Sequence, residues 1–106
     1  MSQFDFGNLG GMLQMAQQRM AQFKENAKNV RAEGRAGGDL VRVVATGDFQ
    51  IVEVHISPKA TEDPELLEDL IRAATNDALG AVRADLQRQV QAMTGGLPIP
   101  PGLMPF

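Results

Sequence analysis

The sequence predicts an α+β fold: an N-terminal helix, a three-stranded antiparallel meander, and a long C-terminal helix with an extended Pro-rich tail. Three observations carry this expectation. From Asn8 to Val30 the apolar residues Leu9, Leu13, Ala16, Met20, Phe23, Ala27 and Val30 recur at alternating steps of four and three, the period of a helix with one narrow seam. Between residues 32 and 56, three short β-type segments are separated by glycine-containing turns. From Leu66 onward, Leu67, Leu70, Ile71, Ala74, Ala78, Val82, Leu86, Val90 and Met93 keep helical spacing without a break.

In the first helix Asn8 is the expected N-cap, and Met12 and Met15 widen the seam near its start. A methionine stripe can act as an adaptable peptide groove, although at helical spacing it is more often ordinary packing. The β segments are residues 32–36, 40–46 and 49–56, joined by "GGD" and by Gly47-Asp48. The second joint suits a two-residue hairpin turn that starts at positive φ. Alternation places Val52, Val54 and Ile56 on one face of the third segment, with Ile51, Glu53 and His55 on the other. The second segment sets Val41, Val43 and Ala45 against a face holding Leu40 and Val44 beside Arg42 and Thr46. That second face is too apolar to be left wholly in water, so the sheet needs a partner besides its own helix.

Asp63 is the expected N-cap of the long helix, Pro64 its first helical residue, and "TGG" its stop. Thirty residues of helix span about 45 Å, against a radius of gyration near 13 Å for a compact chain of this size, so the far end must project. Gly80, mid-helix, costs about 1 kcal/mol relative to alanine and predicts a bend or a close helix contact. Two amphipathic arms of this kind are expected to pair with each other and with a second subunit, giving a dimer with projecting helical arms. Residues 1–94 then form a single α+β domain and residues 95–106 a Gly/Pro-rich apolar tail. Gly95 and Gly96 end the helix, and Ile99-Pro100-Pro101 favours an extended polyproline strand. Leu97, Ile99, Leu103 and Phe106 are its expected anchors on the helices or the dimer surface.

Composition narrows the function classes. With 106 residues and 43% apolar content, the chain suits one domain with a small core. There are no cysteines, which excludes disulfides, cysteine-bound zinc and thiol catalysis. The N-terminus has no cationic segment followed by an apolar stretch, and no run approaches a membrane span, so a soluble, unprocessed protein with no membrane partner is expected. His55 has no cysteine or second histidine to work with and reads as a structural or surface residue. Glu62, Asp63, Glu65, Glu68 and Asp69 could hold a hard cation in a small metal-dependent hydrolase, but acids at a helix start are accounted for by capping and the dipole. The glycines of "GNLGG" follow no strand and precede no lysine, so they make no phosphate loop. The expectation is therefore no enzyme, no metal, no cofactor and no small-molecule substrate.

Charge is more informative. The net charge is −3, yet residues 1–47 carry six bases against four acids, and residues 48–106 four against nine. Lys24, Lys28, Arg31 and Arg35 recur at steps of four, three and four, and on a continuous helix the first three would share one face. Such a face is often merely solvated, but it could also meet successive phosphates. Without tryptophan or tyrosine there is no platform for stacking single-stranded bases, which leaves contact with a duplex backbone.

The Gln- and Met-rich opening "GNLGGMLQMAQQRMAQF", the middle "GDFQIVEVHISPKATEDPELLEDLIRAATNDAL" and the ending "GLPIPPGLMPF" together resemble the YbaB/EbfC family of bacterial nucleoid-associated proteins. The most specific pieces are "LLEDLIRAATNDA" and the closing "PPG" and "MPF", and the resemblance spans nearly the whole chain. It implies a homodimer with a central sheet and projecting helices, in the cytoplasm and on the nucleoid, that binds double-stranded DNA and helps organise the chromosome. It also implies that the helical arms carry the contact, which on this chain points to Arg19, Lys24, Lys28 and Arg31 on the first helix and Arg83 and Arg88 on the long one. A dimeric protein-interaction scaffold with incidental DNA affinity is the alternative, favoured by the negative net charge and the apolar tail.

Overall fold

The computed structural model describes residues 6–93 and Gly95. The elements run α1 (Phe6–Ala27), β1 (Arg31–Ala36), β2 (Val41–Thr46), β3 (Ile51–Ile56), a short 3-10 helix (Pro58–Glu62) and α2 (Pro64–Met93). The three strands form one antiparallel sheet in the order β1-β2-β3. The expected α+β order is thus observed, while the tail anchors Leu97, Ile99, Leu103 and Phe106 lie outside the described residues.

Helix α1 begins before Asn8, so Asn8 is an interior residue and not the cap. The helix also ends at Ala27, three residues short of Val30. There the Asn29 and Val30 amides donate to the carbonyls of Asn26 and Ala27 at 3.0 and 3.1 Å, and the Val30 carbonyl accepts from the Gly47 amide at 3.0 Å. Val30 therefore steers the chain into the sheet. At the start of α2 the Leu66 amide donates to Asp63 Oδ1 at 3.2 Å and Pro64 is the first helical residue, the N-cap arrangement expected from the sequence.

The buried side chains of α2 are Ala74, Ala78, Val82, Leu86 and Val90, an unbroken four-residue step. Four residues advance about 40° beyond a full turn, so this stripe winds by roughly 160° along the helix. One helix can thereby bury its small end under β1 and its large end in the core shared with β2 and α1. Ala74 and Ala78 lie under β1, where a Cβ on Gly34 would sit 2.2 Å from the Ala74 carbonyl oxygen and 2.3 Å from the Ala78 nitrogen. Glycine in mid-strand is required here because the α2 backbone touches the sheet backbone. Farther along, Val82, Leu86 and Val90 join Val41, Val43 and Ala45 of β2 and Phe23 and Ala27 of α1 in one core.

Two expectations about the sheet are corrected. The β2–β3 joint is not a two-residue turn with Gly47 at positive φ. The Phe49 amide donates to the Thr46 carbonyl and the Thr46 amide to the Gln50 carbonyl, both at 2.9 Å, and Phe49 carries the positive φ of 60°. This is a three-residue hairpin loop ending in a left-handed residue. Gly47 is needed for proximity instead, since a Cβ there would sit 2.1 Å from the Ala27 carbonyl oxygen. The second correction concerns alternation: a bulge between Val44 and Ala45 brings Ile51 opposite Ala45, with Val54 opposite Val43 and Ile56 opposite Val41.

The unsatisfied apolar surface also lies elsewhere than expected. Val44 and Thr46, on the sheet face away from α2, are already buried at 6% exposure. Helix α2 packs on β1 and β2 and leaves β3 uncovered, so Ile51, Val52, Val54 and Ile56 remain 40%, 45%, 49% and 39% exposed. The unpaired edge of β3 adjoins them.

The chain is elongated, with a radius of gyration of 19.6 Å and extents of 73 × 22 × 18 Å, longer than the roughly 45 Å that α2 spans alone. Within the chain Gly80 makes no close helix contact: α2 runs through it as one helix, and a Cβ there would meet nothing within 4 Å. Gly80→Ala is therefore expected to stabilise the fold by about 0.5–1 kcal/mol, read as a rise in the urea midpoint at constant slope.

Candidate nucleic-acid interface

The place where α1 turns into the sheet gathers cations from three elements. Lys24 lies in the last turn of α1 and Lys28 just beyond it, and both line a hollow of about 290 Å³ with Phe23, Ala27, Leu86 and the loop residues Gly47, Asp48 and Phe49. From α2, the Arg83 guanidinium lies over the Phe49 ring, 5.8 Å from its centroid, within the range of a cation–π contact. Arg31 begins β1 opposite Thr46 at this same end of the sheet. The structure thus brings Lys24, Lys28, Arg31 and Arg83 around the β2–β3 loop.

The route by which it does so differs from the sequence expectation. Because α1 ends at Ala27, Lys28 sits in a turn and Arg31 and Arg35 on a strand, so Lys24, Lys28 and Arg31 do not share a helix face. What brings Lys24 and Lys28 beside the loop is Gly47, whose missing side chain lets the loop rest on the carbonyl end of α1. Phe49 was not legible as part of a site: a lone phenylalanine after Gly-Asp looks like the start of a strand. Its positive φ is the signal that marks it, and only coordinates carry that.

Charge pairing sorts the remaining bases. Lys28 pairs with Glu25 at 3.2 Å, with both side chains more than half exposed, which leaves the cation open to exchange partners. Arg88 pairs with Asp85. Arg19 has no ion pair among the described residues and stands farther out along the arm, in a hollow with Gln22, Asn26 and Gln89. Those three amides can donate to phosphate oxygens. At the opposite end of the sheet, Arg35 binds Glu33 and Asp39, and Glu33 also reaches Arg42 at 3.5 Å. Glu33 first, and then Asp39, raises the Arg35 pKa above its ordinary value, so that pair of arginines is internally compensated.

His55 lies opposite Arg42 on the exposed β3, beside Arg35, Asp39 and Ser57. The Ser57 hydroxyl accepts from the Lys59 amide as a helix cap. Among the described residues no three His, Asp or Glu side chains are grouped as metal ligands. No helix among them is long and apolar enough to cross a membrane.

The sequence model of the YbaB/EbfC DNA-binding family matches residues 2–97. The chain belongs to the YbaB/EbfC DNA-binding family. Its members are nucleoid-associated DNA-binding proteins. The match stops at residue 97, so the "PPG" and "MPF" that contributed to the resemblance lie beyond it. Among solved structures the chain is similar to the crystal structure of the uncharacterized protein HP0035 from Helicobacter pylori, with a TM-score of 0.77 at 27% identity. The similarity covers 86% of this chain and 98% of that one. The α+β arrangement of a YbaB/EbfC protein is therefore shared along almost the whole relative.

Proposed function

We propose that this YbaB/EbfC protein is a non-enzymatic homodimer that binds double-stranded DNA through its phosphate backbone and contributes to chromosome organisation in the cytoplasmic nucleoid. The observation that carries the reading is the convergence of Lys24, Lys28, Arg31 and Arg83 on one loop in a chain whose net charge is −3. A negative protein needs locally concentrated positive charge to approach DNA, and here three separate elements supply it. Arg19 and Arg88 extend the surface along the arms. A guanidinium or ammonium can meet a phosphate without reading a base, so sequence preference is modest and any gene regulation follows from occupancy.

Dimerisation rests on β3. Four half-exposed apolar side chains beside an open strand edge are poorly suited to water, and a second copy of the same surface covers both features symmetrically. Two copies double the basic clusters on one particle. This gives the bivalency that a weakly charged protomer needs.

The test is the Lys24→Ala, Lys28→Ala, Arg83→Ala triple variant in a mobility-shift titration against a duplex. Each lost phosphate contact lowers the magnitude of the salt slope by about 0.9, so the expected loss is roughly 2 to 3 per protomer together with weaker binding. Unchanged slope and affinity would remove these residues from the interface.

A further inference from the structure

We propose that residues 97–106 dock, within the same chain, in the methionine groove between α1 and the end of α2. The groove encloses about 370 Å³ and is lined by Met12, Met15, Ala16, Arg19, Met20 and Met93. Met12, Met15 and Met93 are each more than half exposed, at 60%, 53% and 51%. Flexible thioethers on both walls adapt to branched and aromatic side chains alike.

Three observations point to this segment as the occupant. Met93 is both a wall of the groove and the last residue of α2, so the chain that follows emerges at the groove itself. Gly95 has φ +67°, the left-handed conformation that ends a helix and redirects the chain. Residues 94–106 contain no charged side chain but hold Leu97, Ile99, Leu103, Met104 and Phe106, which matches a groove whose lining among the described residues is mostly methionine, with Arg19 the one charged side chain among them.

Reach and entropy agree. The seam of α1 runs alongside the groove at Leu13 and past it at Leu9, 58% and 36% exposed. From Met20 back to Leu9 is roughly 17 Å of helix, and ten residues in polyproline geometry extend about 31 Å. Prolines restrict the free segment and so lower the cost of fixing it. Attachment through Met93 raises its local concentration at the groove far above that of any separate chain.

The absence of cysteine makes the test direct. A Met15→Cys, Leu103→Cys double variant places one thiol in the groove and one on the segment, and Gln14→Cys, Leu103→Cys places the first thiol on the opposite side of α1. Under mild oxidation at micromolar protein, the Met15 pair is expected to close an intrachain disulfide at least about tenfold faster than the Gln14 pair. Equal rates would overturn the proposal, and so would a product that is mainly interchain, which would assign the groove to a second copy. A second measurement needs no groove substitution: deleting residues 97–106 should speed hydrogen exchange at the amides of residues 9–20 by about tenfold. Unaltered exchange would overturn it as well.

Discussion

Replacing Gly34 by valine is expected to abolish stable folding. At this position even the first side-chain carbon would sit 2.2 Å from the Ala74 carbonyl oxygen, 2.3 Å from the Ala78 nitrogen and 2.9 Å from the Ala78 Cα. All three are backbone atoms of one helix, so no rotamer change can relieve the clash. The helix must rise from the sheet, and Val41, Val43 and Ala45, now fully buried, lose their cover. Overpacking usually costs about 1–3 kcal/mol, and with the lost core contacts the expected penalty is about 4 kcal/mol or more. A domain of this size has only about 5–15 kcal/mol in total. The expected result is a chain without a cooperative urea transition in circular dichroism. A midpoint close to that of the unaltered protein would show that α2 does not depend on this contact.

Replacing Val54 by lysine is expected to separate the dimer while leaving the protomer folded. Val54 is 49% exposed on the isolated chain, so its loss removes little from the protomer core, and exposed substitutions typically change stability by under about 0.5 kcal/mol. In a symmetric interface the same residue occurs twice, which would bring two ammonium groups onto the apolar surface formed by Ile51, Val52 and Ile56. Sedimentation equilibrium should then report a monomer with the far-ultraviolet spectrum of the parent. Affinity for a long duplex should fall by about a hundredfold as bivalency is lost. A Val54→Lys protein that stays dimeric would place the subunit contact away from β3.

The sequence made much of this architecture legible, and the parts it hid share a cause. Helical period in both amphipathic segments and the Asp63-Pro64 start were readable because they are local: they depend on residues within a turn or two of one another. The true end of α1 was not, because apolar spacing continues to Val30 while a long-range bond from Gly47 captures that residue's carbonyl. Gly34 and Gly47 look like generic strand and turn glycines in sequence. Only the approach of α2 and α1 reveals that each is needed for want of space.

The candidate interface divides in the same way. Lys24 and Lys28 were visible as neighbours on one helix end, whereas the association of Arg83 with Phe49 joins residues from opposite halves of the chain through a hairpin loop. The exposed apolar surface was anticipated on the wrong strand. Alternation identifies which residues share a face, but whether a helix covers two strands or three depends on where its small residues let it lie, and Ala74 and Ala78 draw α2 toward β1.

If a net-negative protein grips duplex DNA by its backbone through paired basic clusters, its affinity must fall steeply with salt and vary little with sequence. The most direct measurement is a fluorescence-anisotropy titration, at several salt concentrations, of protein with a known subunit count against two duplexes of unrelated sequence. Parallel lines of log affinity against log salt are expected for the two duplexes, with a slope magnitude of about 5 or more for a dimer contributing three phosphate contacts per protomer. Affinity that does not change with salt, or binding confined to one of the two duplexes, would contradict this mode of binding.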